Sequence, residues 1–157
     1  MNKRTSGAMG IDLALSPKRQ HCLKEAATLL DAPAEVAQQF ADIGATAIEG
    51  FAFHVLPAGP ADGPWLASAQ FARPPEVSEP VWLDALLVAN GQAMLVDDMA
   101  FSLEENGDGV LLMPLPPDLE DGRFLAARLE GMLSLCRGVC AGAVACAQAP
   151  QREGASA

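Results

Sequence analysis

Residues 82–91 read WLDALLVANG, residues 93–116 read AMLVDDMAFSLEENGDGVLLMPLP, and residues 121–135 read DGRFLAARLEGMLSL. An apolar helix, an acidic hairpin and a second helix follow one another there, and that order decides the fold. In and just before the first block, Val81, Trp82, Leu83, Ala85, Leu86, Leu87, Val88 and Ala89 leave Asp84 as the only charge. A helix that is apolar all round has no solvated face in a lone monomer. One side can cover the chain's own sheet while the other needs a second partner, most economically another copy related by a two-fold axis. Ser78 and Pro80 mark its start and Asn90-Gly91 is expected to stop it, which gives a helix over 79–90.

The second block alternates over 93–103, with Leu95, Met99, Phe101 and Leu103 on one strand face. Asn106-Gly107 is a hairpin signal, because both residue types tolerate positive φ, and Val110–Leu115 is the returning strand, closed by Pro114, Pro116 and Pro117. A long last helix starts within 118–121 and carries the stripe Leu125, Leu129, Met132, Cys136, Val139 and Ala143, with Gly138 and Gly142 expected to fray its end. Upstream, Ser16-Pro17 caps a first helix over 17–30, in which Cys22, Leu23, Ala26, Leu29 and Leu30 recur at helical spacing. Asp31-Ala32-Pro33 interrupts it, and 34–41 suits either a helical turn or a strand. Alternation over 45–56 places Ala47, Phe51, Phe53 and Val55 on one face, and Glu49-Gly50 can split that run into two strands. The loop PAGPADGP, 57–64, returns the chain to a strand with Trp65, Ala67, Ala69 and Phe71 on one side and Ser68 and Gln70 on the other, ended by Arg73-Pro74-Pro75. The expected fold class is α+β: an antiparallel sheet of about five strands with three helices in the order α-β-β-β-α-β-β-α. It forms a single domain over 11–148, between polar ends at 1–10 and 149–157 expected to be disordered.

A chain of 157 residues fits one domain and buries roughly 70% of the surface its unfolded form exposes. Ten Lys and Arg against twenty Asp and Glu give a net charge of −10. That charge repels phosphate backbones and anionic lipid, which excludes nucleic acid and membrane partners, and it keeps apolar surface soluble. No signal-peptide core follows the basic start, and Gly138–Ala149 is too short to cross a bilayer, so the expected location is the cytoplasm. Cys22, Cys136, Cys140 and Cys146 are then reduced thiols that pack as small hydrophobes.

No constellation carries chemistry. His21 adjoins Cys22, but neighbours on a helix point about 100° apart, so adjacency makes no dyad. His54 sits among apolar strand residues. Cys136-x-x-x-Cys140, even with Cys146, leaves a tetrahedral metal site without a fourth ligand. Glu104, Asn106, Asp108 and Gly109 imitate the first half of a calcium loop, but Leu115 occupies the place of its last acidic ligand. Asp97 and Asp98 alternate to opposite faces of a strand. No catalytic residue, metal site or cofactor is expected, and no phosphate loop or dinucleotide fingerprint occurs.

The pattern Leu86-Leu87-x-x-Asn90, followed by a hairpin ending VLLMPLP and by DGRFLAARLEGML, resembles the class I type III secretion chaperones of the Tir chaperone family. The resemblance covers about 16–145. It implies a cytoplasmic homodimer that binds the N-terminal region of a secreted effector in extended form and keeps it ready for export, with the secretion ATPase as a further partner and no reaction involved. The dimer helix would carry Val81, Trp82, Ala85, Leu86 and Ala89 at the interface. The effector would lie on the first helix through Leu23 and Leu30, and on Phe51, Phe53, Trp65 and Phe71 of the sheet. The competing reading is a small regulatory or sensory domain with a folded partner.

Overall fold

The computed structural model describes residues 15–58, 63–96 and 98–150. Its elements are α1 (Pro17–Leu29), α2 (Ala34–Ile43), β1 (Ala45–Ile48), β2 (Phe51–Pro57), β3 (Trp65–Phe71), α3 (Glu79–Val96), β4 (Ala100–Leu103), β5 (Gly109–Leu115) and α4 (Gly122–Gln148). The strands form one antiparallel sheet in the order β1-β2-β3-β5-β4. The class is α+β as expected, with four helices rather than three. The expected end at 1–10 and, of the expected end at 149–157, residues 151–157 lie outside the described residues, as do the middle of the 57–64 loop and Asp97.

The additional helix is α2. Pro33 at its N-cap fixes the turn into it, Glu35 sits in its first turn, and Ala37, Phe40 and Ala41 are buried at helical spacing. Gly44, at φ +65, ends it with its N–H on the Phe40 carbonyl, the left-handed stop that glycine adopts without strain. Ser16 and Asp121 cap α1 and α4 by accepting from the first-turn amides of Arg19, and of Arg123 and Phe124.

Glu49-Gly50 does split 45–57 into a hairpin, and both residues have positive φ, the requirement of the tight turn that matches strand twist. One face assignment changes. Thr46 and Ile48 are the buried residues of β1 and Ala47 is exposed, because the two-residue turn reverses which parity of β1 faces the core. On β3, Trp65, Ala67, Ala69 and Phe71 are buried as expected.

The stop at Asn90-Gly91 does not occur: α3 continues to Val96, and the strand expected over 93–103 shrinks to Ala100–Leu103. Asn90 is engaged elsewhere. Its amide oxygen accepts from the Phe101 N–H at 2.9 Å and its amide nitrogen donates to the Phe101 carbonyl at 3.2 Å. Ala93, one turn on, is buried, while Leu95 points out at 89% exposure instead of facing the core beside Met99 and Phe101. Nor do Gly138 and Gly142 fray α4, whose stripe from Leu125 to Ala143 is buried throughout. Gly138–Ala149 is thus part of a longer element; by length and composition alone α4 would cross a membrane, yet its apolar stripe lies in the core.

Candidate interaction surfaces

None of the residues of the five strands is Asp, Glu, Lys or Arg. On the inner face that is ordinary core chemistry: Phe53, Val55, Trp65, Ala67, Leu111 and Met113 are all buried. The outer face is different. Cross-strand rows run Ala47, Ala52, Gln70, Val110, Ser102, then Ala45, His54, Ser68, Leu112, Ala100, then Leu56, Leu66, Pro114. Most of these are half-buried or exposed, and Leu56 is 51% exposed. A solvent-facing sheet surface without one charge is unusual in a chain with thirty charged residues, because antiparallel sheets normally turn polar residues outward.

The two sheet edges are unequal. At β4 the outward N–H and C=O of Phe101 are both taken by the Asn90 amide. At β1 no second strand is adjacent among the described residues. The two-residue turn makes Ile48 and Phe51 a hydrogen-bonded pair, so alternation turns the N–H and C=O of Ala45 and Ala47 away from β2. A row of main-chain donors and acceptors beside an uncharged sheet face is a template for an extended segment.

A second surface lies on α3. Trp82, only 1% exposed, and Leu86 face the core. The Trp82 indole donates to the Gly107 carbonyl at 3.1 Å and meets Phe71 edge-on. Val81, Ala85 and Ala89 are half-buried, and with Val88 and Gln92 they form one wall of a groove of about 510 Å³. Leu135, Gly138, Val139, Gly142, Ala143 and Cys146 of α4 form the other wall. Leu83, Leu87, Val88, Met94 and Leu95 are exposed, Leu87 at 72%.

The residues expected at an effector surface divide likewise. Leu23, Phe53, Trp65 and Phe71 are buried in the core, and Leu30 and Phe51 are half-buried at its margin. The exposed residues of α3 and the outer sheet row were not among those expected. The signal was present for α3: Trp82, Leu86 and Ala93, at spacings of four and seven, share the inward face and leave Leu87 outside.

Among the described residues the titratable groups assemble no cluster that could hold a metal ion. His21 is exposed on α1 beside buried Cys22, and His54 lies half-buried on the outer sheet face. Burial, then the nearby Glu25, Asp121 and Glu120 carboxylates, push the Cys22 thiol up to about 11. Burial and then Cys140 push Cys136 up to about 12, and burial raises Cys140. Such thiols stay protonated and are poor nucleophiles or metal ligands near neutral pH. Asn106 and Asp108 bond to each other within the hairpin tip.

No protein-family model and no curated protein matches the chain. Solved structures do. A chain of the HopA1-SchA chaperone-effector complex has 18% identity and a TM-score of 0.55, over 79% of this chain and 94% of that one. A chain of the ExoT-SpcS complex from Pseudomonas aeruginosa has 16% identity and a TM-score of 0.51, over 79% of this chain and 98% of that one. At the level of fold, this likeness to a chaperone-effector complex bears out the resemblance read from the sequence.

Proposed function

We propose that this protein is a cytoplasmic chaperone of type III secretion. As a homodimer it holds the N-terminal segment of a secreted effector in extended form, soluble and ready for export. The observation that carries the reading is the uncharged outer sheet face beside the β1 edge, which no strand covers among the described residues, on a fold similar to a chain of a chaperone-effector complex. Backbone pairing at Ala45 and Ala47 supplies affinity with little demand on client sequence, and the apolar sheet rows receive alternate client side chains. The exposed apolar face of α3 supports self-association. No bond is made or broken, so nothing in the mechanism needs a cofactor.

Co-expression with an effector N-terminal fragment tests this. The fragment should copurify and resist a protease that digests it when alone. Ala47→Pro removes one outward N–H without touching the ladder to β2, and should weaken client binding while leaving the thermal midpoint nearly unchanged. A partner that binds only when folded and gains no protection would support the regulatory domain instead.

A further inference from the structure

We propose that residues 11–14, immediately ahead of Leu15, dock on the β1 edge as an added strand antiparallel to β1, and so cover the client's place until a client displaces them. This rests on the β1 edge as the client site, and it adds to that reading a built-in competitor and the side-chain pattern a client must carry.

Position selects this occupant. Leu15 is half-buried against the core and stands at the start of β1: a Cβ added at Gly44 would lie 3.4 Å from Leu15 Cδ1. Running back from Leu15, the chain need only follow β1 from its Ala45 end to its Ile48 end, which is the antiparallel sense. Four extended residues span about 13 Å, enough to match the whole of β1. The opposite edge is no rival, because Asn90 holds both outward groups of Phe101.

Register supplies an independent check. With Leu15 opposite Gly44, Leu13 falls opposite Thr46 and Ile11 opposite Ile48, the two buried residues of β1, while Asp12 falls opposite exposed Ala47. The alternation of Ile11, Asp12, Leu13, Ala14 and Leu15 therefore has the phase of the edge it would join, apolar inward and charge outward. Ala14 and Asp12 then meet the outward N–H and C=O of Ala45 and Ala47. The Thr46 hydroxyl is buried with no hydrogen-bond partner among the described residues, and since such groups are normally bonded, this marks the edge as incomplete on its own.

A tethered strand competes at an effective concentration in the millimolar range, so a free peptide of the same sequence loses to it. A client that also crosses the apolar rows of the outer sheet face gains contacts the segment lacks, and displaces it. The register states what the displacing strand must carry: apolar side chains at alternate positions, over Thr46 and Ile48.

The test uses the full chain, as wild type and as Ile11→Asp with Leu13→Asp, and reads amide hydrogen exchange at Ala45 and Ala47 by NMR, with Ala67 of β3 as the control for an intact sheet. Both edge amides should exchange at least about tenfold more slowly in the wild type. Asp12→Thr, altered only on the outward side, should keep that protection, which separates pairing in this register from mere apolarity of the segment. The synthetic peptide GIDLALS should shift the Ala45 and Ala47 resonances of the doubly substituted chain and leave the wild type unmoved at the same concentration. Wild-type Ala45 and Ala47 amides that exchange as fast as unprotected ones overturn the proposal whatever the variants do, and loss of protection in Asp12→Thr overturns the register. A wild type with freely exchanging edge amides that still protects an effector fragment from protease overturns this inference and leaves the chaperone reading intact; slow edge exchange with no fragment protected does the reverse.

Discussion

Helix α4 packs against α1 and against α3, and it meets the two with different chemistry. Toward α1, Cys22, Leu23, Ala26 and Ala27 are fully buried. Polar pegs lock that contact: Glu25 Oε2 accepts from the Gly122 N–H at 3.2 Å, and Lys18 pairs with Glu120 at 2.6 Å just ahead of α4. Toward α3 there is a groove walled mostly by small side chains, with Leu83, Leu87, Met94 and Leu95 of α3 turned to solvent. Glycine makes the contrast plain. The space beside Gly122 is filled by Glu25, whereas the space beside Gly138 and Gly142 is empty. One side of α4 is filled within the chain; the other borders an open groove with a single charged residue in its lining.

The sharpest way to break that contrast is to place a charge on each side of α3. Trp82→Glu buries an unpaired carboxylate, loses the bond to the Gly107 carbonyl and removes the Phe71 contact. It should cost about 4 kcal/mol or more and leave little folded protein in a urea titration. Leu87→Glu, five residues away on the exposed face, should change the stability of the single chain, measured in dilute solution, by no more than about 0.5 kcal/mol. Equal losses from the two would mean that α3 has no solvent face.

On the sealed side, the next largest loss belongs to Arg19. Its guanidinium is buried, donates to the Gly63 carbonyl at 2.7 Å and the Pro117 carbonyl at 3.3 Å, and lies 4.6 Å from the Trp65 ring centre. The Trp65 indole in turn donates to the Pro116 carbonyl at 2.6 Å. Arg19 thus ties α1 to the segments before β3 and after β5. Arg19→Ala should cost about 2–3 kcal/mol in the same titration, and Arg19→Lys should recover only part of it, because one ammonium lacks the planar fork. A neutral effect would mean that these loops are held by the sheet alone.

Alkaline pH probes the same seal by degrees. Cys22 and Cys136 hold their protons more tightly folded than unfolded, with values of about 11 and about 12 against an ordinary 9.0. The folded state therefore binds more protons above pH 9. The stability these thiols contribute is fully present below that value and is lost as pH rises toward 11 and 12. Urea midpoints should fall on that limb, and the slope should lessen in Cys22→Ala with Cys136→Ala. An unchanged slope would show that other groups, chiefly lysines, set it.

Much of this molecule was legible from periodicity. Trp65, Ala67, Ala69 and Phe71, and the stripe from Leu125 to Ala143, lie where alternation and helical spacing put them. The misplaced end of α3 is a local signal outvoted by a distant partner. Asn90-Gly91 is a good helix stop by composition, but the Asn90 amide is more strongly engaged by both backbone groups of Phe101. That clamp carries α3 past the glycine. The all-apolar composition of α3 disclosed that both faces needed covering but not which residues faced which way; its phase comes from Trp82, Leu86 and Ala93. The uncharged outer sheet face escaped notice because half-buried strands such as LASAQ read as ordinary alternation until register aligns their small residues in rows.

The finest distinction is one methyl group placed at two glycines of α4. At Gly122 the added carbon would lie 2.6 Å from Glu25 Cβ, an overlap that rotating the carboxylate cannot relieve. Gly122→Ala should therefore cost about 1–3 kcal/mol despite better helix propensity. At Gly142 the same carbon meets nothing, so Gly142→Ala should stabilise the single chain by about 1 kcal/mol and raise its melting temperature by about 2–4 °C in dilute solution. If two copies meet over this groove, association should move the opposite way, since a methyl on the groove wall holds an approaching helix farther off. Opposite signs in the melt and in the dimer Kd identify a residue retained for a contact between copies. If Gly142→Ala stabilises the chain and leaves association unchanged, that glycine serves no second copy.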